Sequence, residues 1–96
     1  MVVISEVLDF IDRRFKNTDA NWNNGNCYWF AKILTERFKE LKIYYIPSEG
    51  HFVAGDGKYY FDYNGLITNI YKFVSLDSIL QTDPLWYERL MRDCIL

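Results

Sequence analysis

Gly55-Asp56-Gly57-Lys58, set between two runs rich in β-forming residues, constrains this 96-residue chain more than any other stretch. An Asp-Gly pair in that setting favours a two-residue hairpin loop with a type I′ turn. With Asp56 and Gly57 as the loop, Gly55 faces Lys58, Ala54 faces Tyr59, Val53 faces Tyr60 and Phe52 faces Phe61. The next pair is His51 with Asp62. Directly opposed residues of antiparallel strands share a face, with Cβ atoms about 4.5–5.5 Å apart, so an imidazole and a carboxylate can meet there. The expected register thus sets the only histidine of the chain beside an aspartate. A slip of one residue would put the two on opposite faces. Such a pair either ties down a strand end or fixes the tautomer of an imidazole whose other nitrogen acts as a base.

A base needs a nucleophile, and the chain has two cysteines, Cys27 and Cys94. The stretch 17–26 is polar, with asparagine at five of its ten positions, and reads as a turn-rich loop ending at a helix of about 26–39 with Asn26 as N-cap. Cys27, Phe30, Ala31, Leu34 and Phe38 fall on one face of that helix, which points the thiol at the core. Unpaired N–H groups and the helix dipole in a first turn favour a thiolate. The alternative reading of Cys27 is a small buried hydrophobe. Cys94 lies near a helix C-terminus, which disfavours a thiolate, and is expected in the core. It would be the nucleophile only if the order were His, Asp, Cys, as in proteases of ubiquitin-like modifiers and viruses, whose His and Asp strands the stretch 51–65 also resembles.

Elsewhere Ser5 is a candidate N-cap for a first helix of about 5–16, with Val7, Leu8, Ile11 and Phe15 at helical spacing. Strands are expected at 43–46, closed by Pro47, at 51–55 and at 58–63. Asn64-Gly65 marks a further turn, and 66–74 is β-rich without a clear period. Asp83 before Pro84 is a strong helix start, and that helix runs to about Cys94. Helices, then strands, then a helix predict an α+β domain spanning 1–96. Its N-terminal helices pack on a small antiparallel sheet, and a C-terminal helix follows.

Two segments carry a resemblance. Gly25-Asn26-Cys27-Tyr28-Trp29-Phe30-Ala31 resembles the nucleophile segment of papain-like cysteine peptidases. Gly50-His51-Phe52-Val53, with Tyr60-Phe61-Asp62-Tyr63-Asn64-Gly65, resembles the His and Asp strands of the wider superfamily, which includes transglutaminase-like and NlpC-type hydrolases. The likeness covers about 21–65, in the order Cys, His, Asp. It implies a papain-like core, Cys27 as nucleophile, His51 as base and Asp62 as the residue that orients the base. Where the family has a glutamine donating to the oxyanion hole, this chain has Asn21, Asn23, Asn24 or Asn26, with the Cys27 N–H as second donor. Trp22, Tyr28 and Trp29 flank the site, to line a substrate groove or to pack in the core. The implied activity is a cysteine-dependent hydrolase or acyltransferase acting on an amide, ester or thioester. The alternative is a catalytically silent protein-binding module of phage or toxin type on the same scaffold, suggested by the missing glutamine and by 19% aromatic residues.

Composition narrows the partners. A net charge of −2, without a basic block, gives no driver for nucleic acid. No run approaches the ~18 apolar residues of a membrane span. The N-terminus shows no leader pattern, so a cytoplasmic protein with reduced thiols is expected. One histidine and two distant cysteines make no metal site of familiar spacing, and Gly55-Asp56-Gly57 is a turn, not a phosphate loop. The expected partners are a peptide or protein substrate, or a protein partner, with no cofactor, nucleic acid or membrane. Nothing in the sequence marks an oligomeric state.

Overall fold

A computed structural model describes residues 2–15 and 27–95, the last three by their backbone alone. Helical spacing of apolar side chains shapes the first two elements, α1 (Ile4–Arg14) and α2 (Cys27–Arg37). On α1, Val7, Phe10 and Ile11 are buried, followed by Phe15 just beyond the helix, while Leu8 lies at the exposed margin of the stripe. Ser5 is not the cap. Val3 takes that place with extended backbone and no side-chain bond. Burial of Val2 in the core draws the chain into the helix early, so apolar anchoring decides the start. The expected face, Cys27, Phe30, Ala31 and Leu34 on α2 with Phe38 just beyond its end, is buried throughout. The proposed cap Asn26 and the loop before it lie outside the described residues.

Five strands follow: β1 (Lys42–Ile46), β2 (His51–Gly55), β3 (Tyr60–Asp62), β4 (Gly65–Leu66) and β5 (Val74–Ser75). They form one antiparallel sheet in the order β4-β3-β2-β1-β5. Phe52, Ala54 and Phe61 face the two helices and complete the core with Phe30, Ala31 and Leu34. The fold is therefore α+β, as expected. In the reversal at 47–50, the N–H groups of Glu49 and Gly50 both donate to the Ile46 carbonyl, and Gly50 has φ 59°.

The hairpin register differs from the expected one by two residues. The observed pairs are Gly55 with Tyr60 and Ala54 with Phe61, so the loop is 56–59. A type I′ turn needs positive φ at both central residues. Among the described residues no position other than glycine has positive φ, so Asp56 does not adopt it. Instead its Oδ1 accepts the N–H groups of Lys58 (2.9 Å) and Tyr59 (2.8 Å), a side-chain turn that closes a longer loop. A shift of two keeps every side chain on its expected face.

The ambiguous stretch 66–74 holds only the ends of two strands. Between them, 67–73 passes from one edge of the sheet to the other. It is held by Phe73 stacked on Tyr60 (3.7 Å, 1°) and by the Tyr71 hydroxyl donating to Glu49 Oε1 at 3.1 Å. The chain ends in two helices rather than one, α3 (Leu76–Thr82) and α4 (Pro84–Ile95). Ser75 Oγ caps α3 through the Ser78 N–H (3.1 Å). Asp83 caps α4 as expected, accepting the Trp86 N–H at 3.2 Å. Among the described residues no helix is long and apolar enough to cross a membrane.

Candidate active site

Beyond Ala54 and Phe61, β2 and β3 no longer pair, and the candidate site occupies the opening. Continuing the register sets Asp62 opposite Val53, diagonal to His51. Diagonal neighbours sit about 7–8 Å apart, against 4.5–5.5 Å for opposed ones. The side chains still reach each other. Asp62 Oδ2 lies 3.8 Å from His51 Nε2, an ion-pair distance longer than an N–H···O bond. The other carboxylate oxygen is fixed, because Asp62 Oδ1 accepts the Asn64 N–H at 2.8 Å. The His51 and Asp62 side chains retain 17% and 21% of their exposure, shielded yet open to a ligand.

Cys27 is the first residue of α2, and its free thiol is buried. Burial alone pushes this thiol up, the largest single influence. A hydrogen bond with His51, the Phe52 N–H, the His51 charge and the Tyr28 N–H oppose it and together outweigh it, so the thiol lies below its ordinary value. His51 is pushed up to about 9, first by Asp62 and then by its hydrogen bond with Cys27, against the effect of burial. The three candidate residues thus come together from α2, β2 and β3, with the imidazole between sulfur and carboxylate. A thiolate beside an imidazolium can attack a carbonyl and return a proton.

The flanking aromatics divide. Tyr28 is half-buried, edge-on to Phe52 at 5.4 Å and to Trp29 at 5.3 Å. Trp29 is 42% exposed and so is not core. Asn21, Trp22, Asn23, Asn24 and Asn26 lie outside the described residues, as does the side chain of Cys94. Two backbone groups escaped the sequence reading, the Phe52 N–H on the sulfur and the Asn64 N–H on Asp62. The second has a sequence signal. Asp62-Tyr63-Asn64-Gly65 has aspartate at the first and glycine at the last position of a type I turn. Among the described residues no group of three or more His, Cys, Asp or Glu side chains can hold a metal ion.

Comparison with curated proteins and with solved structures gives no match. A family model described as Phage YunG-like protein matches residues 5–89. That match spans most of the chain, so the protein belongs to the Phage YunG-like family.

Proposed function

We propose that this member of the Phage YunG-like family is a cysteine-dependent hydrolase or acyltransferase with a papain-like core, acting on an amide, ester or thioester of a peptide or protein in the cytoplasm. One observation carries the reading: Cys27 opens a helix, His51 acts on its thiol so as to favour the thiolate, and Asp62 lies 3.8 Å from that imidazole. In the proposed reaction the Cys27 thiolate attacks the carbonyl carbon, and the C=O π pair moves to oxygen. The Cys27 N–H stabilises that oxyanion, with an asparagine from 21–26 as second donor. Collapse expels the leaving group, which takes its proton from the His51 imidazolium. The neutral imidazole then removes a proton from water, or from an acceptor amine, as that molecule attacks the thioester. Thiolate and imidazolium are restored when the acid or the new amide departs. Asp62 orients the ring and favours its protonated form throughout.

The test is acylation by activated aryl esters and by thioesters, read as intact mass and as the acyl mass on the Cys27 peptide. Acylation at Cys27 that disappears in Cys27→Ala and slows at least tenfold in His51→Ala is expected. Persistence of acylation and turnover in Cys27→Ala would refute the assignment.

A second reading, the catalytically silent binding module, is favoured by one observation. Trp29 and Ile33, one turn apart on α2, are 42% and 39% exposed. It predicts a stable protein complex weakened by Trp29→Ala and indifferent to Cys27→Ala.

A further inference from the structure

We propose that the turn between β3 and β4 is the positioning element of this site, with Gly65 as its positioning residue: it presents the Asn64 N–H to one oxygen of Asp62 so that the other oxygen faces His51. The inference rests on reading Cys27, His51 and Asp62 as the reacting groups. It assigns a role outside those three side chains.

The geometry is specific. A free carboxylate next to a strand end rotates about its terminal torsion, a broad and soft degree of freedom. Here Oδ1 is held by the Asn64 N–H at 2.8 Å while Oδ2 lies 3.8 Å from Nε2. Since the register makes Asp62 only a diagonal neighbour of His51, pairing alone does not bring these atoms together, and the orientation of the carboxylate decides the contact. The turn that supplies the N–H depends on Gly65, whose φ of 111° is disfavoured for any residue with a Cβ. There is also little space for one. A Cβ on Gly65 would lie 3.3 Å from Leu8 Cδ2, so α1 braces the turn from behind. Gly65 in turn pairs with Asp62 in the sheet, so a shift at Gly65 moves the Asp62 backbone directly.

Among the described residues, the ionisable groups acting on His51 are Asp62 and Cys27. Glu49, two positions before it in the chain, accepts the Tyr71 hydroxyl. His51 is the only histidine, so its imidazole carbon and proton resonances titrate without overlap in an NMR experiment on the whole chain. This readout needs no substrate. A protein that lacks acylation but has a turn-dependent His51 would sink the proposed activity and spare the positioning role, and the reverse result would do the opposite.

Asp62→Asn sets the scale, by the fall it causes in the His51 midpoint from about 9. Gly65→Ala is expected to cause at least half of that fall, whereas Asn64→Ala, which keeps the backbone donor, leaves the midpoint within 0.3 pH units on the scale of ordinary titration precision, roughly a factor of two in the equilibrium. Adding Leu8→Ala to Gly65→Ala relieves the contact but not the φ strain, and is expected to recover part of the loss. A folded Gly65→Ala protein whose His51 titrates as in the wild type would overturn the proposal. Should Gly65→Ala not fold, amide exchange decides without any turn variant. The Asn64 N–H at pH 6 is expected to exchange at least about fivefold more slowly in the wild type than in Asp62→Ala, the protection of a single formed hydrogen bond. Equal rates would overturn the proposal.

Discussion

Replacing His51 by alanine removes the imidazole whose hydrogen-bond and charge interactions lower the Cys27 thiol. A hydrogen bond to a charged group contributes about 1.5–3 kcal/mol. Because the sulfur belongs to a residue only 7% exposed, solvent does little to replace the lost bond. Each ~1.4 kcal/mol is a factor of ten, so the thiolate fraction at neutral pH should fall about 10- to 100-fold. Burial, the largest influence on this thiol, is then opposed, among the described residues, by the Phe52 and Tyr28 N–H groups. The assay is the rate of iodoacetamide alkylation from pH 5.5 to 9.5, quantified on the Cys27 peptide by mass spectrometry, which separates it from Cys94. Wild type is expected to react well below the pH at which an unperturbed thiol ionises, about 8.5. His51→Ala is expected to shift that profile upward and to lose at least tenfold in rate at pH 7. A His51→Ala protein that melts cooperatively and still alkylates Cys27 within twofold of wild type at pH 7 would show that no thiolate–imidazolium pair exists.

Three further outcomes follow from the structure. His51 is protonated more readily in the folded state, with a midpoint of about 9 against 6.5, so its stabilisation is complete below pH 6.5 and is lost as pH rises towards 9. At about 1.36 kcal/mol per pKa unit the difference is at most roughly 3.4 kcal/mol before solvent screening reduces it, and urea unfolding of wild type against His51→Gln should show a gap that narrows from pH 6 to 9.5. A constant gap would contradict it. Cys27 contributes in the opposite sense, its share being present above the ordinary thiol value of about 8.5 and lost as pH falls through its lowered folded value. Phe52→Ala removes a fully buried ring packed against Tyr28 and Tyr45 and should cost about 3–5 kcal/mol by urea unfolding, with a loss under 1 kcal/mol counting against its place in the core. Asp83→Ala should cost about 1 kcal/mol through loss of the cap on the Trp86 N–H, and an unchanged midpoint would refute that role.

The register of the β2–β3 hairpin illustrates how local reasoning can miss a detail and keep the face. Asp56-Gly57 marks a reversal, and a reversal occurs there. Which reversal it is depends on whether Asp56 adopts positive φ or spends its carboxylate on the next two N–H groups, and the second option prevails. Because the error is an even number of residues, Asp62 keeps the face of His51 but exchanges a direct pairing for a diagonal one. Similarly, α3 starts at a local signal, Ser75, whose Oγ accepts the Ser78 N–H. The stretch 66–74 has no period because it mainly crosses the sheet.

By itself the sequence determined what short-range physics controls: the apolar face of α2 ending at Cys27, the strands β1 and β2, the cap at Asp83, and the common face of His51 and Asp62. Their causes are helical and strand periodicity, and capping, all local in the chain. Only the tertiary structure decided that β5 joins the edge of β1, that α2 begins over the opening where β2 and β3 part, and that the Phe52 N–H acts on the Cys27 sulfur. Those relations join residues from distant elements, or use backbone donors that every residue possesses, and so leave no mark on residue type.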